Sequence, residues 1–457
     1  MDAISFGTDG WRAPLSEFTS ERVRMVGQAV ADYLDDAGVA GPVAVGYDAR
    51  DTSPGFARDL AAVLTANGRD VRLAERDCPT PTVAWAVADR GLAGALMVTA
   101  SHNPPEYNGV KFIPDDGAPA LPDVTEAIEA RLADPTEGAG DGEVTTVDFV
   151  GPHADHALEL ADADLSGLTV AYDGMHGSGR DATPALLERA GAEVERLRCD
   201  RDPEFGGTPP EPSAENLAEL AAAVREGDAD VGVANDGDAD RIAVVTPERG
   251  YLDENLFFAA LYDHLLESRG GPAVRTVSTT FLVDRVAAAH GEDVVETKVG
   301  FKWVAQAMAD HDALVGGEES GGFSVWGHVR EKDGVLMALY AAAMAREGLD
   351  ARVDALLDEH GEIQQGKVSL DCPDDEKERV IGALGDAIPE SVAGESVADV
   401  SALDGFKLLL DDGSWLLVRP SGTEPKMRIY AEAGSEERVG ALLDAGRDLV
   451  APLVGSE

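Results

Sequence analysis

Short apolar runs alternate with helical stretches in the first part of the chain. Residues 21–37 place apolar side chains at helical spacing, and Gly38 ends the pattern. Ser53-Pro54 opens a second helix, which ends at Asn67-Gly68. Three apolar runs have the length of buried strands: 43–47, 71–74 and 95–99. This alternation predicts an α/β layer in which helices cover both faces of a sheet.

The same alternation recurs twice. A polar, glycine-rich stretch at 134–147 is predicted to be a linker or an exposed loop. The second unit contains apolar strands at 169–173, 231–235 and 242–246. The third begins near Tyr251 and contains strands at 274–279, 294–297 and 313–315. We therefore expect three α/β domains, at residues 1–150, 151–250 and 251–366.

The pattern changes after Gly366. Helices are predicted at 376–388 and 436–450, and between them lie three strands at 407–410, 415–418 and 427–431. An Asp-Gly pair between the first two of these strands is a hairpin signal. The last domain, at residues 367–457, is thus α+β. The predicted fold class is α/β, with three related α/β domains and a smaller α+β C-terminal domain.

The composition excludes several classes of protein. The chain has 457 residues, 86 Asp and Glu against 37 Lys and Arg, and a formal net charge of −49. Disorder is excluded because 44% of the residues are hydrophobic. We expect no nucleic-acid partner, because a protein that binds nucleic acid needs a basic surface. We also expect no membrane span, because no apolar run approaches ~20 residues. Three scattered cysteines and the lack of a signal-peptide pattern predict a cytoplasmic protein. We expect it to be a monomer or a weak homo-oligomer.

The acidic residues are spread along the whole chain, which contains only eight lysines. A surface of this kind suits a halophilic protein, because molar salt shortens the Debye length to ~3 Å and screens self-repulsion. An ordinary acidic protein is the alternative. Lys111, Lys298, Lys332 and Lys426 are retained inside or beside the motifs described below. Their retention indicates a local need for cationic contacts to phosphate.

The strongest chemical motif is an Asn-Asp-Gly-Asp-Ala-Asp-Arg loop between two apolar strands. Asp236, Asp238 and Asp240 occur at every second position in this loop, so their carboxylates can converge on one hard cation such as Mg²⁺. A calcium-binding EF-hand is excluded, because its sixth and twelfth positions require Gly and Glu and are here Arg241 and Pro247. The alternative interpretation is a solvated acidic turn.

A second motif, Thr-Ala-Ser-His-Asn-Pro-Pro, follows an apolar strand and begins at Thr99. It places Ser101 at the carboxyl end of a strand, where α/β folds usually bind ligands. The Ser101 hydroxyl beside His102 is either a nucleophile or part of a Ser/Thr turn with a structural histidine. No G-x-S-x-G elbow occurs, so a hydrolase triad is not favoured.

The last domain contains a candidate phosphate-binding loop at 419–426. Arg419, the hydroxyls of Ser421 and Thr423, and the backbone N–H groups around Gly422 are the groups that such a loop needs. The alternative is an ordinary Pro-Ser-Gly turn. No G-x-x-x-x-G-K-[ST] motif occurs, which excludes a P-loop NTPase.

Two further segments carry polar side chains that suit a sugar phosphate. The glycine-flanked segment 316–322 presents Glu318 and Ser320, which can accept from and donate to sugar hydroxyls. The segment 328–334 adds cations, among them Lys332. Each is weak alone, since an ordinary glycine-rich turn or a solvated helix start has the same composition.

Taken together, these motifs resemble the signatures of the α-D-phosphohexomutase family. The resemblance rests on five segments in the family's order: 6–12, 99–104, 236–241, 317–322 and 419–425. It implies four domains around a central cleft and an intramolecular phosphotransferase of the phosphoglucomutase/phosphomannomutase type. The expected reaction interconverts hexose 1-phosphate and hexose 6-phosphate, with glucose or mannose as the sugar. It runs through a phosphoserine and a hexose 1,6-bisphosphate, which also serves as activator.

The resemblance also implies roles for individual residues. Ser101 would be the phosphoserine, and one of its phosphate oxygens would bind Mg²⁺ together with the three aspartates of the acidic loop. The residues around that phosphate would be Arg12, Arg241, His102 and Lys111. The sugar hydroxyls would contact Glu318 and Ser320, and the substrate-binding set is completed by Lys332, Arg419, Ser421, Gly422 and Thr423.

Two points stay open at this stage. Ser278 and Phe301 stand where some relatives carry a Lys and a His, so the general acid/base is unassigned among His102, Lys111 and Lys332. The sugar is also open, with glucose favoured over mannose. A phosphoglucosamine mutase and a metal-dependent phosphoserine phosphatase are the alternative functions.

Overall fold

A computed structural model describes residues 4–7, 10–136, 140–422 and 424–455. Its strands form four separate sheets that follow one another along the chain. Three of these sheets mix parallel and antiparallel strands and alternate with helices, and the fourth is antiparallel. This four-domain α/β architecture confirms the predicted fold class.

The first sheet has six strands in the order β1-β5-β4-β2-β3-β6. Strands β2, β3, β4 and β6 are parallel, and β5 and β1 complete one edge in antiparallel pairing. The elements are β1 (Trp11–Pro14), α1 (Ser20–Asp36), β2 (Val43–Tyr47), α2 (Ser53–Ala66), β3 (Val71–Ala74), α3 (Thr80–Arg90), β4 (Gly94–Val98), β5 (Tyr107–Ile113), α4 (Pro122–Glu129), β6 (Val144–Val147) and α5 (Val150–Ala161).

The prediction of a linker or loop at 134–147 was wrong at its carboxyl end. Residues Val144–Val147 form strand β6, which pairs with β3 at the edge of the sheet. This edge strand is largely exposed, so it lacks the apolar run by which the other strands were recognised. Residues 137–139 of the predicted linker lie outside the described residues.

The second sheet has five strands in the order β11-β10-β9-β7-β8. Strands β7, β8 and β9 are parallel, and β10 and β11 form an antiparallel edge. Its elements are β7 (Thr169–Asp173), α6 (Gly179–Arg189), β8 (Glu193–Leu197), α7 (Ala218–Glu226), β9 (Val231–Asn235), β10 (Ile242–Thr246) and β11 (Gly250–Leu252).

The third sheet has four strands in the order β13-β12-β14-β15. Its elements are α8 (Glu254–Leu266), β12 (Ala273–Thr276), α9 (Leu282–His290), β13 (Val294–Thr297), α10 (Phe301–His311), β14 (Val315–Gly317), β15 (Phe323–Val325), α11 (Gly334–Glu347) and α12 (Leu349–His360). The strand predicted at 274–279 ends earlier, because the Thr279 N–H bonds back to the Thr276 carbonyl and turns the chain. The strand predicted at 313–315 begins later, at Val315.

The second and third sheets share one hydrophobic core. Helix α11 packs against α6 and against strands β9 and β10 of the second sheet. Its buried Leu336 and Leu339 belong to the same apolar cluster as Tyr172 and Val233 of the second sheet and Phe323 of the third. The loop that precedes α11 is therefore fixed close to the carboxyl end of β9.

The fourth sheet is antiparallel, with six strands in the order β16-β21-β20-β19-β18-β17. Its elements are β16 (Gln364–Asp371), α13 (Lys377–Asp386), β17 (Ser391–Val392), β18 (Glu395–Ser401), β19 (Phe406–Leu410), β20 (Trp415–Pro420), β21 (Lys426–Ala433) and α14 (Glu436–Val450). The predicted hairpin is the β19–β20 pair. Among the described residues, every helix is too short or too polar to cross a bilayer.

Candidate active site

Ser101 lies in the tight turn between β4 and β5, and its side chain is buried. Its φ of 51° is in the left-handed region, which a non-glycine residue adopts only when its surroundings enforce it. The Thr99 hydroxyl oxygen accepts the Ser101 N–H at 2.8 Å and supports this turn. Ser101 Oγ donates to Asp236 Oδ2 at 2.7 Å. The serine loop (residues 99–106) and the acidic loop (residues 235–241) are therefore in contact.

The three aspartates of the acidic loop are fully buried and their carboxylates converge. One oxygen from each of Asp236, Asp238 and Asp240 lies within 4.8 Å of the other two. Asp236 Oδ1 accepts the backbone N–H groups of Asp240 and Arg241, which closes the loop after β9. Among the described residues, Oδ1 of Asp238 and Oδ1 of Asp240 are buried with no hydrogen-bond partner. Buried carboxylate oxygens without a partner, in a group that converges in this way, can hold a hard cation such as Mg²⁺.

Two of the eight lysines contact this acidic loop. Lys111 Nζ, on β5, lies 3.1 Å from Asp238 Oδ2 and 3.0 Å from Asp240 Oδ2. Lys332 Nζ, in the loop before α11, lies 2.7 Å from Asp240 Oδ2. Both lysines are nearly buried, so they neutralise part of the charge that the acidic loop concentrates.

The Asp236 and Asp240 carboxylates influence each other's ionisation because they are buried close together. Burial, together with the Asp240 and Asp238 carboxylates, raises the pKa of Asp236 to about 8. Burial also disfavours ionised Asp240, but Lys111 and Lys332 outweigh it and hold the pKa of Asp240 well below its usual range. Without a divalent cation Asp236 therefore retains its proton near neutral pH, and a cation would displace it.

Further cationic and titratable groups surround Ser101. Arg12 Nη1, on β1, donates to the Asn103 side-chain oxygen at 3.1 Å, and His102 Nδ1 lies 3.3 Å from Ser101 Oγ. Burial, then the Arg241 and Arg12 guanidinium groups, lowers the pKa of His102 to about 2, so its imidazole is neutral at pH 7. Arg241 Nε is buried without a hydrogen-bond partner among the described residues and lies 3.8 Å from Asp240 Oδ1.

The segment after β14 carries two adjacent acids. Glu318 is buried, and its Oε1 accepts the Gly300 N–H at 2.8 Å. Burial, with the Glu319 carboxylate, raises the pKa of Glu318 to about 7. Ser320 is exposed, and the Gly321 carbonyl accepts the N–H of Ile242 at the start of β10, which ties this segment to the second sheet.

The candidate phosphate-binding residues lie at the end of β20, in the fourth domain. Arg419 Nε donates to Asp404 Oδ2 at 2.9 Å, and the same oxygen accepts the Val299 N–H of the third domain at 3.1 Å. Ser421 is buried and its Oγ accepts the Glu424 N–H at 3.2 Å, whereas Gly422 is exposed. These contacts link the loop to the third domain beside Gly300. Thr423 lies outside the described residues.

Models of a single family match each of the four domains. Their descriptions are phosphoglucomutase/phosphomannomutase alpha/beta/alpha domain I at residues 3–139, domain II at 152–250, domain III at 253–362, and the C-terminal domain at 371–449. The chain belongs to the phosphoglucomutase/phosphomannomutase family. The enzymes of this family are intramolecular phosphotransferases, so the enzyme class and family expected from the motifs are confirmed.

Curated relatives of this phosphomutase span its whole length. A Methanopyrus kandleri protein named "probable phosphoglucosamine mutase" is 36% identical, with 97% of each chain covered. Two Thermococcus kodakarensis proteins are similar: a phosphoglucomutase/phosphomannomutase at 33% identity, covering 97% of this chain and 98% of the other, and a phosphopentomutase at 32%, covering 98% of each. The solved structure of a phosphoglucomutase/phosphomannomutase family protein from Burkholderia thailandensis matches with a TM-score of 0.84 at 25% identity, covering 98% of each chain.

Several residues of this phosphomutase's site were missed by the sequence interpretation. Asp48 and Arg50 follow β2 directly, so the rule that ligand sites lie at the carboxyl ends of strands would have marked them. Thr80, at the start of α3, donates its hydroxyl to Asp238 Oδ2 at 2.7 Å and its N–H to the Asp238 carbonyl at 2.9 Å. Asp404 pairs with Arg419. The sequence gives no signal for Thr80 or Asp404, since each acts on a loop that is distant along the chain.

Proposed function

We propose that this phosphomutase interconverts the 1-phosphate and 6-phosphate of glucose or mannose through a phosphoserine at Ser101 and a hexose 1,6-bisphosphate. The observation that carries the proposal is the 2.7 Å hydrogen bond between the buried Ser101 hydroxyl and Asp236. This contact holds Ser101 Oγ, the proposed phosphoryl carrier, beside three convergent carboxylates. Phosphoryl transfer needs such positioning and charge neutralisation above all else.

The metal site supports Mg²⁺ as the cofactor. The unsatisfied oxygens of Asp238 and Asp240, with Asp236 beside Ser101, form an all-oxygen donor set next to the hydroxyl that would carry the phosphoryl group. When bound, the ion neutralises charge on the phosphoryl group. Lys111 and Lys332 contact the same carboxylates. Once these carboxylates bind the ion, the two lysines would supply positive charge next to the transferred phosphoryl group.

The substrate is held at two places in this proposal. Glu318 and Ser320 bind sugar hydroxyls, and Arg12 and Arg241 lie beside the reacting phosphate. The phosphate that does not react is bound by residues of the fourth domain: Arg419, Ser421, Gly422 and Thr423. Asp404 supports this assignment, because its carboxylate accepts from the Arg419 guanidinium and keeps it oriented. The same carboxylate accepts the N–H of Val299, and the N–H of the next residue, Gly300, binds Glu318.

The reaction then has two transfers of opposite direction. In the first, the phosphoryl group on Ser101 Oγ passes to the free hydroxyl of the hexose monophosphate, whose proton goes to a protein base. In the second, the other phosphoryl group of the reoriented bisphosphate passes to Ser101 Oγ, and a proton returns to the sugar oxygen. His102, Lys111 and Lys332 remain the candidates for the base, and the pH profile of kcat in a variant of each identifies it.

A phosphoglucosamine mutase is the second candidate function. The relative with 36% identity over 97% of each chain carries that name, whereas the phosphoglucomutase/phosphomannomutase relative is 33% identical. Coupled assays with glucose, mannose and glucosamine 1-phosphates, run in low and high KCl, rank the three sugars by kcat/KM. Release of inorganic phosphate without isomerisation would replace both candidates with a phosphoserine phosphatase.

Intact mass spectrometry tests the phosphoserine directly. Incubation with glucose 1,6-bisphosphate and Mg²⁺ should add one phosphoryl group to the wild-type chain and none to Ser101→Ala. The matched control is Ser396→Ala, because Ser396 is an exposed serine of the fourth domain. Ser101→Ala should have no measurable mutase activity and the control should keep full activity. Near wild-type turnover by Ser101→Ala would refute the mechanism.

A further inference from the structure

Arg50 is a buried arginine that contacts the serine loop through both terminal nitrogens of its guanidinium group. It lies directly after β2 and its side chain is 1% exposed. Nη2 donates to the carbonyls of Ser101 at 2.9 Å and Asn103 at 2.6 Å. Nη1 donates to the carbonyls of Pro104 at 2.7 Å and Tyr107 at 3.1 Å. The planar fork of one arginine thus satisfies three backbone carbonyls of the turn between β4 and β5 and the carbonyl of Tyr107, the first residue of β5.

Arg50 is itself held from two sides. Its Nε donates to Asp48 Oδ2 at 3.0 Å, and Asp48 Oδ1 accepts the Ser53 hydroxyl at 2.6 Å. On the other side the guanidinium carbon lies 5.0 Å from the centre of the Phe205 ring, which belongs to the second domain. The fork is therefore pre-organised, and little freedom is lost when the loop binds to it.

The serine loop needs such a partner because of its own geometry. Its left-handed turn at Ser101 directs carbonyls into the protein, where each must find a donor. The acidic loop also packs tightly here, since a Cβ placed on Gly237 would lie 2.4 Å from the Ser101 carbonyl oxygen. The position of that carbonyl therefore determines where the Ser101 hydroxyl stands relative to Asp236.

We propose that Arg50 is a positioning residue for phosphoryl transfer: its guanidinium group fixes the backbone of residues 101–107 so that Ser101 Oγ faces Asp236 of the acidic loop. The inference rests on the proposed role of Ser101 as the phosphoryl carrier. All five donor contacts of Arg50 run to protein atoms, so it acts on the reaction only through the serine. Displacing a reacting group by about 1 Å costs on the order of 10²-fold in rate.

The test replaces Arg50 by lysine, which keeps the charge and loses the fork. The matched control is Arg58→Lys, because Arg58 is an exposed arginine of the neighbouring helix α2. We expect kcat of Arg50→Lys to fall about 30- to 100-fold with KM within threefold of wild type, and the control to stay within twofold of wild type. Hydrogen exchange of the amides at 101–107 should become faster in Arg50→Lys only.

A chemical rescue separates positioning from general structural support. In Arg50→Ala, added guanidinium chloride should restore several-fold of the lost kcat, because guanidinium reproduces the planar donors, whereas ammonium chloride at equal concentration should not. If neither Arg50 variant folds, Ser53→Ala replaces them. It removes the hydroxyl that donates to Asp48 and accepts from Asn108 Nδ2 at 3.0 Å, and it should lower kcat several-fold at constant KM.

The proposal is overturned by an Arg50→Lys enzyme with kcat within twofold of wild type, by a loss that falls entirely on KM, by equal rescue with ammonium, or by a Ser53→Ala enzyme with unchanged kcat. Failure of the proposed function gives a different result. Wild-type protein that gains no phosphoryl group from glucose 1,6-bisphosphate would refute the phosphoserine, while the hydrogen-exchange comparison would still report on the loop.

Discussion

A buried ion pair between Asp77 and Arg180 joins the first two domains. Arg180 of α6 donates from Nη1 and Nη2 to the two carboxylate oxygens of Asp77 at 2.5 and 3.0 Å, and these side chains are 7% and 11% exposed. Asp77 lies three residues before Thr80, the first residue of α3, which bonds to the Asp238 carboxylate and carbonyl. Breaking the pair should therefore lower the free energy of unfolding and disturb the position of the acidic loop.

The size of the expected loss in stability follows from the burial of these two side chains. Arg180→Met would leave the Asp77 carboxylate buried without its bidentate partner, and losing one partner of a buried pair costs ~3–5 kcal/mol. We expect the lower end, about 3 kcal/mol, because Asp77 keeps a little contact with water. The double variant Asp77→Leu/Arg180→Met removes both charges and should recover most of the loss, which gives a coupling energy of at least about 2 kcal/mol.

Equilibrium denaturation of the four proteins of this cycle measures the coupling. The matched control is Arg189→Met on the same helix, since Arg189 pairs with Asp155 at the surface with both side chains largely exposed. That pair should contribute less than about 1 kcal/mol. Calorimetric Mg²⁺ titration should show weaker binding in Arg180→Met than in the control. A loss within about 0.5 kcal/mol of the control, or zero coupling, would refute the reasoning.

Three other predictions concern the metal, acid stability and salt. Asp240→Asn removes a proposed ligand and the partner of two lysines, so the Mg²⁺ concentration for half-maximal activity should rise at least about tenfold; an unchanged Mg²⁺ requirement would remove Asp240 from the site. Burial, then His328 and His153, lowers the pKa of His156 to about 4. The unfolded chain, with a pKa of about 6.5, therefore takes up this proton first as pH falls, and stability is lost between about pH 6.5 and 4. His156→Gln should reduce that loss by about 1–2 kcal/mol, allowing for the half-exposed side chain, as followed by denaturation across pH. With a net charge of −49, the thermal midpoint should rise steadily with KCl, and full stability in dilute buffer would exclude salt adaptation.

Periodicity and strand-end motifs were enough to predict the four-domain α/β fold and to single out the loops that the structure brings together around Ser101. Hydrophobic spacing is a local property, so β2, β7, β9 and β10 were predicted with the bounds that the structure has. The edge strand β6 was missed because an exposed strand lacks an apolar run. Spacing singled out the three aspartates, the position after a strand singled out Ser101, and rarity singled out the retained lysines. The roles expected for these residues rested on the family resemblance.

The partners of those groups depend on tertiary structure. Ser101 and Asp236 are 135 residues apart, and Lys111 and Asp240 are 129 residues apart, so no local pattern relates them. Their contacts exist because separate domains pack with the carboxyl ends of β4 and β9 facing each other. Arg50 shows the same limit, since its role follows from four carbonyls more than 50 residues away. The sequence determined which groups are present, and the packing of domains decided which buried charge or carbonyl each one satisfies, because an unpaired buried polar group is too costly to leave.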